Sequence, residues 1–426
     1  MESSSTFLLF SNQTVKRNVD VEYPFRQDSG FYYLTGIDEP NSVYFLKKDE
    51  DGNRQEVLFI QEKNQQEQIW TGATLSKEKS RQISQIEIIF NFEELFENLH
   101  VNLKNTQTIY FDPKGSYQPL RDKVVNLIFE DNRPGFQNLD KLQKTNSLLR
   151  NLRMLKDTYE VAQMEKSAQI AIQGHIQAVK NMYQKVKNSQ KIWEYQVCAD
   201  LYNYFASQNC TWSYPAIVAS GSNACVLHYT ANNQELKAGD LLLIDAGSEY
   251  NYYASDITRC YPICGKFSEA QKIIYNLVLK ANLACIAEIA KAGSTYTSYN
   301  QVSINILTEG LISLGILQGS IEENIAQKNY FKYYMHGVGH WLGLDVHDAG
   351  IYIEKGQRSD IELTNGMILT VEPGLYFDKD DQSVPTEFRG IGIRIEDDIL
   401  KTQNGAKNLT QNMPKTITEI ENLFEF

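Results

Sequence analysis

DLLLIDAGSEYNYYASDITRCYPI, residues 240–263, reads as two strands folding back on each other across a polar turn. Leu241 to Ile244 is a continuous apolar run that ends on Asp245, and ten residues separate Asp245 from Asp256 on the return. Facing side chains in a hairpin stand roughly 5 Å apart. Two carboxylates that close repel each other unless a cation or a shared proton intervenes. Burying a carboxylate is costly unless a cation or hydrogen bonds offset it. A second reading makes one aspartate a buried turn cap and leaves the other on the surface.

Three later segments repeat the theme. HGVGHWLGLDVHD (336–348) carries His336, His340 and His347, three of the chain's six histidines. His228 lies in VLHYT, and only His100 and His175 lie elsewhere. Neutral imidazole is a common ligand for divalent transition metals. Gly337, Gly339 and Gly343 argue against a regular helix here and for close backbone approach. In TVEPGLY, Glu372 ends an apolar run, and Pro373 pushes it toward an extended backbone. In IGIRIED, Arg394 and Glu396 alternate with Ile393 and Ile395 and share one strand face. Taken alone, that pair also reads as a surface ion pair. Asp245, Asp256, His340, Glu372 and Glu396 together make an oxygen-rich set suited to two divalent cations. It favours Mn²⁺ and tolerates Co²⁺, Zn²⁺ or Fe²⁺. The set holds no thiolate, which argues against a purely structural zinc.

The remaining composition narrows the class. A length of 426 residues predicts two domains. Hydrophobic residues at 42% and charged residues at 22% are a normal globular balance. The net charge of −12 argues against nucleic acid and anionic membrane as partners. Phe7 to Phe10 is too short for the apolar core of a signal peptide, and no stretch approaches the ~20 apolar residues of a membrane span. The expectation is a soluble, cytoplasmic chain. Its six cysteines all lie beyond residue 190 and read as reduced thiols. No second Cys or His pair completes a zinc spacing around Cys260 and Cys264.

Strands are expected at 42–48, 56–61, 86–92 and 108–112, with helices at 116–131 and 139–151. This is an α/β layer pattern. A long helix follows from Thr158 to Val186, and the polar, basic junction before it places the domain boundary between 152 and 153. Beyond it, strands at 217–220, 240–263, 367–377 and 391–402 surround helices at 268–290 and about 298–314. That predicts a mainly antiparallel sheet covered by helices. No tandem repeat is visible, which argues against a solenoid.

These segments together resemble the pita-bread metallopeptidases, and within them the aminopeptidase P and prolidase branch. The carriers are the Asp245 and Asp256 pair, HGVGHWLGLDVHD, VEPGLY and GIRIED, in family order. RQDSGFYYLTGIDEP (26–40) resembles the early N-domain motif, and LRMLKDTYEVAQM (152–164) the domain-linking segment. The resemblance covers nearly the whole chain. It implies a creatinase-like N-terminal α/β domain (1–152) and a C-terminal pita-bread catalytic domain (153–426). The chain starts close to the first N-domain strand, so a short leading element is expected to be missing.

The resemblance also implies roles. Asp245 would bind one metal, Asp256 and Glu396 would bridge both, and His340 and Glu372 would complete the other. His228, His336, His347 and Arg394 would surround the substrate, with Tyr376 and Trp70 as further contacts. Trp70, in QIWTGATLS, would come from a neighbouring subunit of a homo-oligomer, a dimer or tetramer. Glu372 would be the general base in hydrolysis of the bond before proline. Proline's amide has no N–H, so the site needs a pocket shaped for the ring. The implied activity is Xaa-Pro aminopeptidase. His340-Trp341-Leu342-Gly343 resembles that form more than the form in the Xaa-Pro dipeptidases. Those dipeptidases are the alternative, and a non-catalytic pita-bread module that binds peptide or protein is a third class.

Overall fold

The computed structural model describes residues 1–103, 106–130, 139–354, 357–358 and 360–425. The chain divides into two compact units, Met1–Leu152 and Arg153–Phe426.

The first unit is built on a six-stranded mixed sheet. Its order runs Ile88–Asn91, Arg54–Ile60, Val43–Lys48, Ser5–Phe10, Thr108–Tyr110, Lys141–Gln143. Ser5–Phe10 sits centrally, antiparallel to Val43–Lys48 and parallel to Thr108–Tyr110. It is buried along its length, which explains the apolar run Phe7 to Phe10 without alternation. Leu8, Phe10, Val43 and Phe45 pack on one face with Leu95, Leu99, Leu120 and Val124, while Phe7, Leu9, Tyr44 and Leu58 pack on the other with Phe31 and Ile37. Helix Gln118–Glu130 occupies the stretch expected at 116–131, whose last residue lies outside those described. The expectation of a helix over 139–151 needs correcting. Lys141–Gln143 is a strand, parallel to Thr108–Tyr110, and the helix runs from Asn146 to Arg153. A three-residue edge strand has too few positions to show a period of two in sequence.

The second unit opens with helix Thr158–Lys187, started by a capping box between Asp157 and Glu160. All pairings among its described strands are antiparallel. Leu241–Asp245 lies between Ile217–Ser220 and Thr258–Pro262, buried on both faces, hence its unbroken apolar run. A smaller hairpin, Ser248–Tyr250 with Tyr253–Ala254, interrupts the return between Asp245 and Thr258. Asn251 and Tyr252 turn it, both at positive φ (48° and 72°), as a two-residue primed turn requires. A second sheet region pairs Ile368–Val371 with Asp397–Thr402, and Gly374–Tyr376 with Gly392–Arg394. Both ladders break at the same level, at 372–373 on one side and 395–396 on the other. Helices Glu269–Ile289 and Tyr296–Ser313 pack against each other, and residues of both contribute to the core. Among the described residues no helix is long and apolar enough to cross a membrane.

Candidate active site

The chemistry-bearing residues converge because strands stop where they stand. Asp245 is the last residue of its strand, opposite Ile217 and Thr258. Asp256 lies two residues before the returning ladder resumes at Thr258. Glu372 and Glu396 occupy the shared break between the two ladders, where a side chain is released from the pleat. His340 runs beside strand Ile368–Val371, held by one backbone and one side-chain bond: Thr370 N donates to His340 O (2.9 Å), and His340 N donates to Thr370 Oγ1 (3.1 Å). Gly339 permits this approach, since a Cβ there would lie 2.0 Å from Thr370 O.

A cavity of about 660 Å³ results. Its lining includes Asp245, Asp256, His340, Glu372 and Glu396, and also His228, His336, His347 and Arg394. Asp256, His340 and Glu396 offer ligand atoms within 4.8 Å of one another. His340 Nδ1–H donates to Trp341 O (3.1 Å), which leaves Nε2 facing Asp256 Oδ2 at 3.4 Å and Glu372 Oε1 at 3.7 Å. Such a backbone bond orients a ligating imidazole. Burial, then Glu396, pushes the Glu372 carboxyl up to about 8. Burial, then Asp245, pushes Asp256 well above the usual carboxylate range, and burial, then Asp256, does the same to Glu396. These groups resist simultaneous ionisation unless positive charge sits among them. The donor set fits divalent cations on that ground.

Sequence reasoning missed two residues that hold this cluster. The Tyr214 hydroxyl lies 2.6 Å from Asp245 Oδ1 and 2.5 Å from Asp256 Oδ1. One hydroxyl carries one proton, so only one of the two contacts can be a donation from Tyr214. Thr258 Oγ–H donates to Glu396 Oε2 (2.6 Å) and its oxygen accepts from Arg394 Nε (3.2 Å). Thr258 begins the strand two residues after Asp256, and a lone threonine there carries no signal of its own. Tyr214, in TWSYP, had no pattern to mark it.

Arg394 is buried, which rules out the surface reading of the Arg394 and Glu396 pair. Its Nη2 donates to Asp245 Oδ2 (2.5 Å) and its Nη1 to the Tyr376 oxygen (2.9 Å). Tyr376 O–H in turn donates to His336 Nε2 (2.8 Å), and His336 Nδ1–H donates to Gly337 O (2.7 Å). That chain fixes one tautomer of a neutral imidazole. Burial, then the Arg394 charge, holds His336 down to about 3. Burial, then His340, holds His347 at about 4. Tyr376 is thus bonded to two residues that line the cavity, His336 and Arg394. Trp70 belongs to the first unit, on helix Gln65–Thr71, and is 87% exposed.

Comparison with known proteins agrees with this architecture. Residues 162–403 match Metallopeptidase family M24, and residues 1–110 match Aminopeptidase P, N-terminal domain. The chain belongs to metallopeptidase family M24. Its full-length relatives are more particular. It is 40% identical over 428 residues to the Xaa-Pro aminopeptidase of Haemophilus influenzae, covering 100% of this chain and 94% of that one. It is 38% identical to the Xaa-Pro aminopeptidase of Escherichia coli, covering 99% and 94%. Escherichia coli aminopeptidase P with the inhibitor Pro-Leu superposes with a TM-score of 0.91 at 35% identity, over 100% of this chain and 95% of that one. Pseudomonas aeruginosa aminopeptidase PepP gives the same TM-score at 36% identity, with the same coverage.

Proposed function

We propose that the chain is an Xaa-Pro aminopeptidase, a metalloaminopeptidase that releases the N-terminal residue from peptides with proline second. The observation that carries this reading is the meeting of four carboxylates and four histidines in one cavity, in a chain with 38–40% identical Xaa-Pro aminopeptidase relatives end to end.

Asp245, Asp256, His340, Glu372 and Glu396 would hold two divalent cations, Mn²⁺ being favoured by the oxygen-rich set. When bound, such ions acidify a water and polarise the carbonyl before proline. Glu372 takes the water's proton and delivers it to the departing imino nitrogen. Glu372 borders the cavity beside His340, with its Oε1 3.7 Å from His340 Nε2, within reach of a water held among these ligands. His347 and His228 would face the carbonyl side, where an imidazole N–H can donate to the developing oxyanion. Arg394 and Tyr376 hold His336 neutral and fixed in the cavity wall, where its ring would border the proline side. The free amine of the substrate sits beside the acidic ligands.

The test is turnover with Mn²⁺ and with chelator, on an Xaa-Pro dipeptide and a longer Xaa-Pro-Xaa peptide. Metal-dependent cleavage of the longer peptide before proline is the expected result. Cleavage of the dipeptide alone would make the chain an Xaa-Pro dipeptidase instead. Metal bound without cleavage of either would overturn the substrate assignment.

A further inference from the structure

His228 stands on the segment that joins strands Ile217–Ser220 and Leu241–Asp245, irregular apart from a short turn at Gly221–Cys225. Its side chain is exposed at the edge of the cavity. No packed core surrounds the imidazole, so its place depends on how the backbone on either side is held. Beneath the segment lies Glu194, the first residue of helix Glu194–Ser207 and fully buried. Its Oε1 accepts from Ser220 N (2.7 Å), Ser220 Oγ (2.7 Å) and Asn223 Nδ2 (3.0 Å). Its Oε2 accepts from Tyr229 O–H (2.8 Å) and Gln234 N (2.9 Å). The first oxygen thus ties the chain before His228 and the second ties it after. Tyr229 is the very next residue. Glu194 N also donates to Gln234 O (3.0 Å). One carboxyl group gathers five donors from both arms of a single loop.

We propose that Glu194 is a positioning residue for His228, setting where that imidazole meets the substrate carbonyl. It rests on the aminopeptidase reading above. An amide cannot replace the carboxyl here. Either orientation of a Gln points N–H at donors on one arm and leaves them unpaired in a buried place. A displacement of about 1 Å at a reacting group costs up to ~100-fold in rate.

The experiment is a double-mutant cycle on the metal-loaded full chain, using E194Q, H228A and both together, with the longer Xaa-Pro-Xaa peptide. E194Q is expected to lower kcat/KM roughly 10- to 100-fold, with the same split between kcat and KM as H228A. In the H228A background it is expected to change kcat/KM by no more than about 2-fold, because the group it positions is gone. Equal losses in the two backgrounds, or wild-type kinetics for E194Q, would overturn the proposal. If E194Q fails to fold, Y229F decides by the same cycle: a loss confined to the His228 background supports the proposal, and an equal loss in both overturns it. An inactive wild type would instead indict the aminopeptidase reading, so the two failures are told apart.

Discussion

Glu372 shows how a single position acquires chemistry from its surroundings. It is an ordinary glutamate before a proline, yet burial and Glu396 raise its carboxyl from about 4.5 to about 8. General acid–base groups are worth typically ~10²–10⁴-fold in rate. Replacing Glu372 with Ala is expected to cut kcat by at least about 10²-fold while far-ultraviolet circular dichroism is unchanged. A kcat near that of the wild type would remove its assigned role.

At the scale of elements, the histidine-bearing loop 336–348 is held by more than its own turns. Asp348 is buried and pairs with Lys156 Nζ at 2.8 Å and with Arg153, two residues of the segment that leads into helix Thr158–Lys187. Against the raising effect of burial, Lys156 and Arg153 hold the Asp348 carboxyl below its ordinary value. Asp348 N donates to Trp341 O (2.9 Å), which locks the loop's far end to its middle. Removing one partner of a buried ionic group strands the others and costs about 3–5 kcal/mol. Asp348→Ala is therefore expected to lose that much stability in urea unfolding. It should also lose activity at temperatures where it remains folded, since His340 and His347 ride on the same loop. A loss under 1 kcal/mol would show that the loop does not depend on this anchor.

For the whole molecule, the buried acidic cluster links metal, pH and stability. A carboxyl whose pKa is raised by folding stabilises the fold fully below its unfolded value, and that stability is lost as pH climbs through the folded value. Glu372, about 4.5 unfolded and about 8 in the metal-free fold, loses it across that window. Asp256 and Glu396 shift in the same direction. His336 and His347, held down from 6.5 to about 3 and about 4, act with the opposite sign, but only below 6.5. Chelator-stripped protein should therefore show a Tm that falls between pH 6.5 and 8, where the carboxyl effect is the one of these that remains. Metal-loaded protein should be flatter over the same range, and equal slopes would mean that the cations do not sit among these carboxyls. Trp70 raises the question of assembly. With Ile69 82% and Trp70 87% exposed on one short helix, Trp70→Ala is expected to weaken a homo-oligomer seen by light scattering. A wild type that is monomeric and fully active would set that expectation aside.

Much of this was legible in the chain alone because the physical costs are local. Leu241–Asp245 read as a strand from its short unbroken apolar run, and the fold buries it on both faces. A carboxylate at its end, three histidines among glycines and a Glu before Pro each pointed inward for the same reason: charge and imidazole in apolar surroundings require partners. The short edge strand Lys141–Gln143 was hidden because three residues are too few to show an alternating pattern. Tyr214, Thr258 and Glu194 were hidden for a related reason. A hydroxyl or carboxyl that serves through hydrogen bonds to distant residues carries no spacing of its own. Sequence determined which residues could carry the chemistry, because residue type sets what can ionise, ligate or turn. Only the tertiary structure decided that Arg394 faces Asp245 and not solvent, that two ladders break at one level, and that one buried carboxyl grips both arms of the His228 loop. Those facts depend on contacts made across the fold, and a linear pattern holds no record of them.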